Sequence, residues 1–72
     1  MSEISLGIIG GGQLGSMLAI AAKKLNVKTV VSSDDIDAPA QNFCNQFVTG
    51  SYDNKEKISE FINKIDLVTY EF

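Results

Sequence analysis

Seventy-two residues, 44% of them hydrophobic, suffice for one small domain over 1–72; a chain this short buries only about 60% of its unfolded surface, so marginal stability is expected. A net charge of −3, with lysine as the only cation and no histidine, excludes the clustered positive patch that nucleic acid demands. It also removes the usual neutral-pH acid–base group and the commonest metal ligand, so no catalytic and no metal-binding residue is assigned.

The first expected element is a strand over 4–10 carrying Leu6, Ile8 and Ile9. Residues 1–5 lack a basic leader, and no apolar run nears the ~20 residues that span a bilayer, so neither export nor a membrane partner is expected. The strand runs into Gly10-Gly11-Gly12-Gln13-Leu14-Gly15, in which Gly10, Gly12 and Gly15 satisfy G-x-G-x-x-G. This spacing provides a tight turn, a bare backbone that a ligand can approach, and close packing of helix on strand. A helix over 13–25 follows, with Leu14, Met17, Leu18, Ala21, Ala22 and Leu25 recurring at helical period as its apolar face. The unpaired amides of its first turn, reinforced by the helix dipole, make the loop a site for an anion of phosphate size.

A second strand is expected over 27–32, then Ser32-Ser33, then a loop carrying Asp34, Asp35 and Asp37 that reads as solvated. Pro39 suits the first turn of a short helix over 39–44. Cys44, flanked by Phe43 and Phe47, reads as a small buried hydrophobe; as the only cysteine it forms no internal disulfide and fits a reducing cytoplasm. A strand over 46–49 precedes a helix over 54–64, for which Asp53 and Glu56 form a capping box ahead of Ile58, Phe61, Ile62 and Ile65. A last strand over 66–70 completes βαβαβαβ, an α/β, Rossmann-like parallel sheet of four strands with ligands at its carboxyl edge. With no helix after the fourth strand, the chain is expected to be the first third or less of a larger protein and to hold part of a site.

Four segments carry a family resemblance: Gly7-Ile8-Ile9-Gly10-Gly11-Gly12-Gln13-Leu14-Gly15, Ala21-Ala22-Lys23-Lys24-Leu25, Asp37-Ala38-Pro39-Ala40 and Val68-Thr69-Tyr70-Glu71-Phe72. Together they resemble the amino-terminal, pre-ATP-grasp domain of N5-carboxyaminoimidazole ribonucleotide synthetases, the ATPase subunit of phosphoribosylaminoimidazole carboxylase. The resemblance implies a carbon–nitrogen ligase of purine biosynthesis. ATP and bicarbonate give carboxyphosphate, and the carboxyl group passes to the amine of 5-aminoimidazole ribonucleotide. It implies that Gly11, Gly12, Gln13 and Leu14 line the phosphate and ribose of that ribonucleotide, with Glu71 facing the ribose or imidazole. ATP and Mg2+ would be held by the ATP-grasp and carboxyl-terminal domains, outside this chain, leaving the chain alone inactive. Ser16 departs from the family pattern where a basic residue is usual, and Ser32-Ser33 departs where the strand commonly ends in an acid.

Two other readings remain open at this stage. The same fingerprint opens NAD- or flavin-dependent oxidoreductases, with Asp34 or Asp35 gripping the ribose hydroxyls. Alternatively the chain is a non-catalytic fragment whose uncovered apolar faces self-associate. In each case a cytoplasmic protein is expected, and a homo-oligomer.

Overall fold

The computed structural model describes residues 4–70; Glu71 lies outside the described residues. Seven elements follow one another: β1 (Ser5–Ile9), α1 (Gln13–Lys24), β2 (Lys28–Ser33), a short 3-10 turn (Pro39–Asn42), β3 (Gln46–Thr49), α2 (Lys55–Ile62) and β4 (Leu67–Tyr70). The expected order holds, with most ends shifted by one or two residues and the short helix reduced to a single 3-10 turn. All strand pairs are parallel, in the order β3-β2-β1-β4. Register aligns Ile8 with Val31 and Thr69, and Val31 with Phe47. Reciprocal bonds between Ser5 and Asp66, in which Ser5 N–H donates to Asp66 Oδ2 and Asp66 N–H to Ser5 O, both 2.8 Å, fix the start of β4 beside β1.

Alternation along the strands sends side chains to two faces, one packed by α1 and the other by α2, with Leu67 and Val68 of β4 left exposed. On one face Ile8 and Val31 meet Ala19 of α1 and Ala40 of the 3-10 turn, with Leu6, Phe47 and Cys44 against them. On the other, Phe61 of α2 packs on Val30 and Val48, with Ile9 and Ile65 alongside. Ile58 is half-buried and Ile62 is exposed, so only part of the stripe expected on α2 reaches the sheet.

Helix α1 corrects the sequence expectation more deeply. Its buried residues are Gly15, Ser16, Ala19 and Ala22, whereas Leu14, Met17, Leu18 and Leu25 are exposed. Small side chains on the inner face let the helix axis lie close to β1 and β2, which is the packing role expected of the third glycine. The large apolar residues occupy the outer face. Ser16 is turned inward, its hydroxyl donating to Gly12 O at 2.9 Å. The helix ends in a Schellman motif: Asn26, at φ 61°, donates to Lys23 O, and Val27 N–H donates to Ala22 O.

The cap of α2 is also revised. Asn54, not Asp53, is the cap residue, and its side-chain oxygen accepts from the backbone N–H of Glu56 and Lys57 at 3.0 and 3.2 Å. Replacing Asn54 by Ala is expected to cost about 1 kcal/mol in urea unfolding, whereas Asp53→Ala stays within about 0.5 kcal/mol.

Candidate functional site

Backbone bonds tie the glycine loop between β1 and α1 to its surroundings. Gly10 N–H donates to Ser32 O at 2.8 Å, Gly11 O accepts from Ala40 N–H at 2.9 Å, and Gly12 O accepts from Ser16 N–H at 2.9 Å as the first rung of α1. Gly10 turns at φ 109°, a conformation that side chains resist. Gly11 is buried, and a Cβ there would lie 2.6 Å from Ala38 Cβ and 3.1 Å from Ser33 Cβ. Its missing side chain thus admits the β2–β3 connection.

That connection is folded by its own polar groups. Ser33 Oγ accepts from Asp35 N–H at 3.1 Å, Asp35 Oδ1 accepts from Asp37 N–H at 2.9 Å, and Ala38 N–H donates to Asp35 O. Ser33, where an acid is common, is buried and holds the loop. Between this connection and the glycine loop lies a cleft of about 320 Å³. It is lined by Gly10, Gly11 and Gly12, by Ser33, Asp34 and Asp35, and by Ala38, Pro39 and Tyr52. Asp34 and Asp35, read from sequence as a solvated loop, are exposed and also reach this cleft; Tyr52, from the β3–α2 loop, gave no sequence signal. Two carboxylates and no cation line it, so the cleft repels an anion.

The other side of the loop has the opposite character. Strand order places the topological switch point between β1 and β4, because connections leave β1 toward β2 on one side and return to β4 on the other. Gln13 and Leu14 open α1 there, their amides preceding the first helical rung; no side chain caps the helix and no acid stands in its first turn. Gln13 is exposed. Leu14 faces an apolar groove of about 440 Å³ shared with Met17, Leu18 and Tyr70. The structure therefore gathers Gly12, Gln13 and Leu14 at the helix start, and places Gly11 one residue before them, beneath Ala38 and on the wall of the cleft. Lys23 and Lys24 lie in the last turn of α1, away from that start.

Among the described residues no three His, Cys, Asp or Glu side chains converge to hold a metal ion, and no helix is long and apolar enough to cross a membrane. Cys44 is half-buried, packed against the core of Ile8, Ala19, Val31 and Ala40, and burial raises its thiol above the usual range. The expected role as small hydrophobe fits this setting.

A parallel sheet whose first turn is glycine-rich and opens a helix at the switch point defines a Rossmann-like domain. The whole chain, residues 1–72, matches the ribonucleotide synthetase preATP-grasp domain. The chain belongs to that family. It is 41% identical over 68 residues, covering 94% of this chain and 18% of the relative, to the N5-carboxyaminoimidazole ribonucleotide synthase of Staphylococcus haemolyticus. The crystal structure of N5-carboxyaminoimidazole synthetase from Staphylococcus aureus superposes with a TM-score of 0.91 at 39% identity, covering 96% of this chain and 19% of that one. Carboxyaminoimidazole ribonucleotide synthase from Aspergillus clavatus, complexed with ATP, gives 0.81 at 35% identity, with 97% and 19% covered. The chain thus spans about a fifth of the length of the relatives it matches.

Two outcomes test this geometry. Gly11→Ala is expected to lower stability by about 1–3 kcal/mol in thermal melts through overpacking, and Ala38→Gly in the same chain to recover part of the loss. With its pKa raised, Cys44 carries less thiolate near neutral pH, so alkylation by iodoacetamide at pH 7–8 should be slower than for free cysteine and should accelerate in urea.

Proposed function

We propose that the chain is the single amino-terminal unit, over 1–72, of an ATP-dependent ligase that carboxylates 5-aminoimidazole ribonucleotide with bicarbonate in purine biosynthesis. Its share of the work is to hold the ribonucleotide. One observation carries the reading: α1 begins at the switch point on Gly12, with no capping side chain and no acid in its first turn. A phosphate ester placed there accepts from amide donors of Gln13 and Leu14 and lies along the helix dipole. Gly11 and Gly12 leave the backbone bare for that approach, and Gln13 is near enough in sequence to reach the ribose. Leu14 contributes its amide and borders the apolar groove. Glu71, outside the described residues, follows Tyr70 at the tip of β4 and is assigned to the ribose or imidazole.

The chemistry that forms carboxyphosphate from ATP and bicarbonate is assigned to polypeptide outside this unit. There ATP and Mg2+ are held, and there the cations that clamp the transferring phosphoryl group must stand. This unit supplies neither arginine nor a lysine at the start of α1. Alone it is inactive. A cytoplasmic setting and homo-oligomeric assembly belong to the same reading. The oxidoreductase alternative draws on Asp34 and Asp35 beside the glycine loop, but the connection packed on Gly11 narrows that cleft, and every relative named above is a ribonucleotide synthase or synthetase.

Titration of the isolated chain, followed by amide NMR, tests the assignment. The ribonucleotide should shift Gly12, Gln13 and Leu14 and bind at least tenfold more tightly than its dephosphorylated nucleoside, about 1.4 kcal/mol. Gly12→Asp discriminates further. The new carboxylate caps α1 and so preserves or slightly raises stability, yet it repels the phosphate and should abolish the shifts. Unchanged binding in that variant, or shifts produced by NADH instead, refutes the proposal.

A further inference from the structure

Asp35 lines the acidic cleft, yet its oxygens also fold the chain that covers the glycine loop. Its Oδ1 accepts from Asp37 N–H at 2.9 Å and its backbone carbonyl from Ala38 N–H at 3.1 Å, so residues 35–38 close into one braced turn. Ser33 anchors that turn on the sheet. This buried strand residue accepts from Asp35 N–H at Oγ and from Gly50 N–H at its carbonyl, both at 3.1 Å. At the far end of the turn stand two buried alanines. Ala38 sits against Gly11, where a Cβ would come within 2.6 Å of its own, and Ala40 N–H donates to Gly11 O at 2.9 Å. Because a peptide unit is planar, a held Gly11 carbonyl fixes the plane that ends in Gly12 N, and Gly12 is the residue from which α1 starts.

We infer that Asp35 is a positioning residue for the anion site at the start of α1, acting through the turn that clamps Gly11 and not through its charge. The inference rests on the functional reading above and adds to it the part of the chain that holds the site in shape. An anion site made of backbone amides binds well where those amides are fixed before the ligand arrives, since binding then spends nothing on ordering them. The charge of Asp35 works the other way, because a carboxylate beside the glycine loop repels a phosphate. Two opposed contributions thus meet in one side chain, and substitution separates them. Asn keeps the Oδ1 acceptor without the charge, whereas Ala removes both. A purely electrostatic role makes either substitution tighten phosphate binding; a positioning role makes Ala loosen it and Asn restore it.

Titration of the chain with 5-aminoimidazole ribonucleotide, together with amide hydrogen exchange of the unliganded chain, tests this. Asp35→Ala should weaken binding by at least about threefold and speed exchange of the Ala40 amide by a similar factor, as one side-chain hydrogen bond is lost. Asp35 is exposed, so the variant should still fold. Asp35→Asn should bind within about twofold of the unaltered chain, or more tightly, and leave Ala40 exchange as it was. Asn54→Ala, which loosens α2 by a comparable amount, should leave affinity unchanged and so tells a general loss of stability apart. Unaltered or tighter binding in Asp35→Ala overturns the inference, as do equal losses in the Ala and Asn variants or an equal loss in Asn54→Ala. If the unaltered chain does not bind the ribonucleotide, the functional reading fails; unchanged Ala40 exchange in Asp35→Ala overturns the clamp separately.

Discussion

The close seat of α1 on the sheet is the constraint from which the rest follows. With Gly15, Ser16, Ala19 and Ala22 as its inner face, the helix approaches β1 and β2 more nearly than a leucine-faced helix can. A close helix needs a short entry, and the loop supplies it: Gly10 turns back to Ser32, Gly11 passes under Ala38, and Gly12 starts the first rung. The 3-10 turn then fits over the same corner, its Ala40 completing the core with Ile8, Ala19 and Val31. A larger residue at any of these contacts would lift the helix from the sheet and take the first-turn amides with it.

That seat also divides the loop into two environments only a few residues apart. Toward β2 the chain offers carboxylates, a phenol and buried glycine backbone. Toward β4 it offers amide donors and apolar side chains. A phosphate distinguishes these by sign alone, because it gains from the dipole on one side and meets Asp34 and Asp35 on the other. The glycine fingerprint is common to both sides and so cannot specify which one a ligand takes; strand order places the switch point between β1 and β4, the side to which the proposed function assigns the phosphate.

Elements and their order were readable from period and punctuation, since Val30, Val31, Phe47 and Val48 sit between turn signals and the glycine loop falls where strand meets helix. What escaped was which stripe of α1 faces inward. Leu14, Met17, Leu18 and Leu25 carry the stronger apolar period, and periodicity reports a hydrophobic face without saying what covers it. Gly15, Ala19 and Ala22 were the clue, because small residues at helical spacing form a second face that can sit close on a sheet. The cap of α2 was missed for a similar reason: Asp53 and Asn54 are both good caps, and only the backbone turn decides between them. In the site, Ser33 stood out only as a departure from the family pattern, its loop bond not being legible, and Tyr52 carried no signal because it arrives from a distant turn. The placement of Gly12, Gln13 and Leu14 at the helix start was legible, because the motif itself defines it.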